Sequence, residues 1–137
     1  MLAFLSAGIF MSSCSEKEED DEQAPVIEII SPENHSHHIK GRDLEIKATF
    51  TDDTELSFYH VHIGDETGGH VEEIDFEKTA NIAGTSFSFD ETFTIGEELD
   101  DMYWVHFDVI DAAGNEHSEK VMVHFDEQTL VVVKEGL

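Results

Sequence analysis

Cysteine, positive charge and long apolar runs are all scarce in this sequence. Its one cysteine, Cys14, leaves no intrachain disulfide and no CxxC pair for zinc or thiol exchange. Lysine and arginine together number 7 against 32 aspartates and glutamates, a formal net charge of -25 at pH 7. Such a surface repels phosphate backbones, so nucleic acid is excluded as a partner. There is no Gly-rich phosphate loop and no nucleophile elbow, and the HxH pair at His60 and His62 lacks the helical spacing of a metalloprotease. A non-enzymatic role is therefore expected. The apolar or small stretch from Met1 to Ser13 is too short to cross a bilayer, though it has the length of a signal-peptide core.

That stretch ends in Met11, Ser12, Ser13 and Cys14, which resembles a bacterial lipobox. The resemblance implies lipidation of Cys14, with residues 1–14 as signal peptide plus anchor cysteine. No Lys or Arg precedes the apolar run, so the true start is expected upstream. Residues 15–24 begin Ser15-Glu16-Lys17-Glu18-Glu19-Asp20-Asp21-Glu22, a self-repelling segment that cannot form a core and reads as a tether. An acidic run directly behind the cysteine resembles the export signal of surface-exposed lipoproteins of the Bacteroidota. It implies an outer-membrane, cell-surface location with the membrane reached through the lipid anchor.

Residues 25–126 alternate apolar and polar positions in short runs, with turn residues between them every several positions, which predicts an all-β fold. About seven antiparallel strands in an immunoglobulin-like β-sandwich are expected. The predicted strands are Val26–Ser31, Asp43–Thr51, Leu56–Ile63, Val71–Phe76, Ser86–Ile95, Met102–Asp111 and Lys120–Phe125. His35, His37 and His38 fall in the predicted loop between the first two. Tyr103 follows Leu99-Asp100-Asp101 at the place of a corner tyrosine bonded back to the preceding loop. Asp111-Ala112-Ala113-Gly114-Asn115 reads as the closing hairpin turn, with Gly114 and Asn115 suited to positive φ. Residues 127–137 form a tail whose Leu130 to Val133 fits either an edge strand or a frayed end. From Cys14 to Phe125 the chain resembles a family of Ig-like Bacteroidota lipoproteins of unknown function with a histidine-rich strand.

Nine histidines are many for 137 residues, and a strongly acidic protein gathers cations around them. In the third strand Tyr59, Val61 and Ile63 make the apolar face, so His60 and His62 point outward. In the sixth, Tyr103, Val105, Phe107 and Val109 point inward, leaving Trp104, His106 and Asp108 outside. In the seventh, Val121, Val123 and Phe125 face in while Met122 and His124 face out.

These three strands are neighbours in an immunoglobulin-like sheet, and opposed Cβ atoms lie roughly 4.5–5.5 Å apart. His60, His62, His106, His124 and Asp108 are thus expected to share one wet face, with His70 and the histidines of the first loop near the same end. Imidazole donors suit Zn, Cu or Ni, and the thioether of Met122 would favour copper in its reduced state. At the opposite pole Asp52, Asp53, Asp111 and Asn115 offer oxygen-only ligands for Ca²⁺, although turn capping explains the same residues. The leading expectation is a surface metal-binding lipoprotein passing its ion to an outer-membrane transporter. The alternative is an adhesion or accessory module presenting Trp104 and Phe58 to a protein or glycan without metal.

Overall fold

A computed structural model describes residues 22–129. The lipobox cysteine Cys14, most of the acidic tether and Leu130 to Val133 lie outside those residues. The described part is all-β: β1 Val26–Ser31, β2 Ser36–Ile39, β3 Asp43–Thr51, β4 Leu56–Gly64, β5 Glu77–Asn81, β6 Ser86–Thr94, β7 Met102–Asp111 and β8 Glu116–Asp126. They form two sheets, one ordered β1-β3-β6 and the other β2-β8-β7-β4-β5. All pairings are antiparallel except that of β2 with β8.

The core is the set of side chains that the pleat turns inward from both sheets. Leu44, Ile46, Ala48 and Phe50 of β3 meet Tyr59, Val61 and Ile63 of β4, Tyr103, Val105, Phe107 and Val109 of β7, and Val121, Val123 and Phe125 of β8. All are buried, and all sit on the face that period-two alternation assigns them. Phe50, Tyr59, Phe87 and Phe89 pack ring against ring between the sheets, with centroids 5.2–6.3 Å apart.

One irregularity sets the phase of the central strand. The β4–β7 register shifts between Leu56, opposite Asp111, and Phe58, opposite Ile110, so β4 carries one extra residue. This bulge lets Leu56 and Tyr59 both enter the core although they are an odd number of positions apart. Beyond it Tyr59, Val61 and Ile63 enter the core, and His60 and His62 lie on the opposite, outer face of the sheet.

Two strand assignments need correction. Val71–Phe76 is not a strand: Ile74 N–H donates to the Val71 carbonyl in a turn, and Ile74 and Phe76 are buried from a loop. The strand beside β4 is instead Glu77–Asn81, a polar edge strand whose burial is confined to Lys78 and Ala80. Edge strands of this kind lack an apolar alternation to read. Ser36–Ile39, expected as loop, is the parallel strand β2. The expected strands thus become eight.

The corner tyrosine is present: Asp100 N–H donates to the Tyr103 hydroxyl at 2.7 Å. In the closing turn Gly114 has φ 93, while Asn115 does not have positive φ. Replacing Phe107, which is fully buried, with Ala is expected to cost about 3–5 kcal/mol in urea denaturation. Tyr103→Phe keeps the ring and removes one hydrogen bond, so its expected cost is about 1 kcal/mol. Equal costs for the two would contradict this division between core and corner.

Candidate metal centre

The site is built on the outer face where β4 and β7 pair. His60 stands opposite Asp108 and His62 opposite His106. His60, His62 and Asp108 each offer one donor atom within 4.8 Å of the others. The His60 and His62 rings stack at 4.6 Å, and those of His62 and His106 at 4.9 Å.

Hydrogen bonds fix how these groups present their donors. His62 Nε2–H donates to the Gly68 carbonyl at 3.0 Å, which leaves the lone pair on Nδ1. That Nδ1 is buried and has no hydrogen-bond partner. His60 Nε2–H donates to the Glu77 carboxylate at 2.8 Å, while its Nδ1 lies 3.8 Å from Asp108 Oδ2. Asp108 Oδ1 accepts the Ser118 hydroxyl proton, so Oδ2 is the oxygen turned toward the histidines. Carboxylate and carbonyl acceptors on the far nitrogen are the usual means of orienting imidazole ligands and raising their basicity. Tetrahedral zinc with bonds of about 2.0–2.2 Å separates neighbouring ligand atoms by roughly 3.3–3.5 Å, so a contraction of at most about 1.5 Å between donors would close the cluster.

The segment that receives these histidines is the loop after β4. Asp65 Oδ1 accepts Thr67 N–H, Thr67 Oγ1–H and Gly69 N–H at 2.7–2.9 Å, wrapping the loop around one carboxylate. The Thr67 hydroxyl above all, with the loop amides, holds the Asp65 carboxyl below its ordinary range. Gly68 takes φ 92, a conformation that a side chain disfavours. The loop carbonyls then point back at the sheet: Gly68 O receives His62, and Asp65 O receives His106 Nε2–H at 2.7 Å. A cavity of about 240 Å³ opens beside the cluster, with His60, His62, His70, Asp75 and Glu77 among its walls.

The remaining expected ligands are distributed as follows. His106 stacks on the cluster but is not one of its three donors. His70 is exposed and lines the cavity from the bridge opposite Gly64, without joining the three. The convergence of His124 with them is corrected: the β7–β8 register places Lys120 opposite His106 and Met102 opposite His124. His124 therefore sits four residues further along β8, roughly 13 Å away along the strand. It stacks instead on His37 of β2, centroids 4.5 Å apart. The histidines thus form two groups on one sheet. His117 lies apart from both, donating Nδ1–H to the Pro25 carbonyl.

At the opposite pole the four residues considered for Ca²⁺ act within turns. Asp111 Oδ1 accepts the Ala113 and Asn115 amides, and Asp52 Oδ2 those of Thr54 and Glu55. Asp53 Oδ1 accepts the Thr54 hydroxyl proton. Among the described residues no metal-competent group of three is gathered there.

Sequence reasoning missed Glu77, Ser118 and the loop carbonyls. Ser118 was within reach, since pairing Ile110 with Glu116 across the closing turn sets Ser118 opposite Asp108. Glu77 was not, because its strand carries no apolar pattern.

The fold and the cluster define the class: an all-β sandwich with a histidine–aspartate group able to hold a metal ion. The family model described as a domain of unknown function (DUF4625) matches residues 12–125, and the chain belongs to that family. No curated protein matches it.

Burial above all holds the His62 pKa below its ordinary value of 6.5; His106 and His60 act in the same direction and the Gly68 hydrogen bond against them. Just below pH 6.5 the unfolded chain therefore binds a proton at this ring that the folded chain does not. The contribution of His62 is at its most favourable above 6.5 and declines as pH falls through that window. In chelator, the stability of wild type relative to His62→Asn is expected to shrink between about pH 7 and about pH 5.5. A difference that stays constant or widens would contradict the assignment.

Proposed function

We propose that this protein is a cell-envelope lipoprotein whose immunoglobulin-like domain binds a transition-metal ion, Zn, Cu or Ni, through His60, His62 and Asp108. The observation that carries the reading is the buried, unpartnered Nδ1 of His62, a residue that shares with His60 and Asp108 a group of donor atoms within 4.8 Å of one another. A bare nitrogen lone pair removed from water costs free energy unless something accepts it, and a metal ion does. Nitrogen and oxygen donors without thiolate suit these divalent ions. A net charge of -25 raises the local concentration of cations around the site.

The adjoining cavity leaves room for a water or an exchanging ligand on the ion, which fits capture and release better than a closed structural site. Lipidation at Cys14 would hold the domain at the outer membrane, on the cell surface, where a transporter is the natural recipient of the ion.

Chelator-treated protein is expected to bind about one equivalent of Zn²⁺ in calorimetry. His60→Ala, His62→Ala and Asp108→Ala should each weaken that binding by about 100-fold or more, and Ser118→Ala by about tenfold through loss of carboxylate orientation. His117→Ala should change nothing. Binding that survives the His60 and His62 substitutions removes the site. The anchor has its own test: the full chain expressed in a lipoprotein-processing host should partition with membranes, and Cys14→Ala should move it to the soluble fraction.

A further inference from the structure

The second group of histidines has a different chemical character from the first. On the outer face of the sheet, β8 lies between β2 and β7. His37 and Met102 flank His124 from either side, one across the parallel pair and one across the antiparallel pair. Trp104 stands opposite Met122, which lies two residues before His124 and so on the same face. His35 N–H donates to the Met122 carbonyl at 2.7 Å, which extends the β2 side by one more imidazole.

Three further features set this patch apart from an ordinary polar surface. His35 has φ 68, the only positive value at a non-glycine residue among those described, and its ring stacks on His124 at 6.3 Å. Residues held there cost free energy and are concentrated at functional positions. His37 Nδ1–H donates to Asp126 Oδ2 at 3.0 Å, which leaves Nε2 as the basic nitrogen. Met102, a large apolar side chain, is 42% exposed directly opposite His124.

We propose that His37, His124, Met102 and Met122 form a second metal site, selective for Cu(I), beside the indole of Trp104, with the His35 ring stacked at its edge. Thioether sulfur is a soft ligand and prefers monovalent copper to Zn²⁺, whereas imidazole serves both. The first cluster has nitrogen and oxygen donors only and is the harder of the two. The indole face adds attraction for a cation held against it and reports its arrival. Between the two sites stand Lys120, its Nζ–H donating to the Glu66 carbonyl, and His106, so each keeps its own donors. Loading is ligand binding alone, with copper supplied and retained as Cu(I).

The test is anaerobic competition for Cu(I) on the full chain against a chromophoric Cu(I) chelator, with Ag(I) as a redox-silent probe and Trp104 fluorescence as a second readout. Met102→Leu, Met122→Leu and His124→Asn are expected to weaken Cu(I) binding by about tenfold or more each. In each variant Zn²⁺ binding at the first cluster should be unchanged, which also shows that the variant is folded. Cu(I) and Ag(I) should quench Trp104 in wild type and in the His60→Ala/His62→Ala variant alike. Cu(I) affinity that is indifferent to both methionines overturns the proposal, as does Cu(I) binding that disappears with His60 and His62. Failure of the Zn²⁺ site alone leaves the Cu(I) result independent, so the two readings stand or fall separately.

Discussion

The extra residue in β4 between Leu56 and Phe58 is the constraint on which the functional face depends. A strand exposes every second side chain, so the burial of Leu56 would, in an unbroken strand, also turn Phe58, His60 and His62 inward. The bulge resets the phase, and Tyr59, Val61 and Ile63 take the core in their place. Two imidazoles next to Phe107 and Val105 in the core would be polar groups removed from water without partners, at a cost no sandwich of this size sustains. With the phase reset, the same residues meet Asp108 and His106 on the wet side of the sheet.

Once the face is set, neighbouring groups decide what the histidines can do. The loop after β4 is folded around the Asp65 carboxylate, and its carbonyls take the Nε2 protons of His62 and His106. Glu77 from the edge strand takes that of His60, and Ser118 occupies one oxygen of Asp108. The loop after β4, the edge strand β5 and β8 each supply one or more of these partners, and His60, His62 and Asp108 are left with donor atoms within 4.8 Å of one another. Burial above all, with the neighbouring imidazoles of His106 and His60 acting the same way, favours the neutral, ligand-competent form of His62.

The acidic surface and the two histidine groups act over different ranges. A charge of -25 concentrates cations near the domain but, screened over about 8–10 Å in physiological salt, distinguishes little between them. Discrimination belongs to the donors at contact. Nitrogen and carboxylate oxygen on the β4–β7 pair, and nitrogen with thioether sulfur on the β2–β8–β7 strip, differ in softness while sharing one sheet.

Much of this was written in the order of residues alone. Alternation in Asp43–Thr51, Met102–Asp111 and Val121–Phe125 names the inward side chains of β3, β7 and β8, because a pleat has only two faces. The closing turn at Asp111–Asn115 in principle carries the β7–β8 register as well, and with it Lys120 rather than His124 opposite His106. Polar strands were silent: Ser36–Ile39 and Glu77–Asn81 are held by neighbours, not by apolar faces of their own. What the linear chain determined was therefore the facing of side chains, a local property of each strand. What only the tertiary structure decided was their alignment along the sheet where no short turn joins the partners. The slide of β4 on β7 and of β2 on β8 is set by packing between segments distant in the chain, and it places His60 and His62 beside Asp108 and His106, and His37 beside His124.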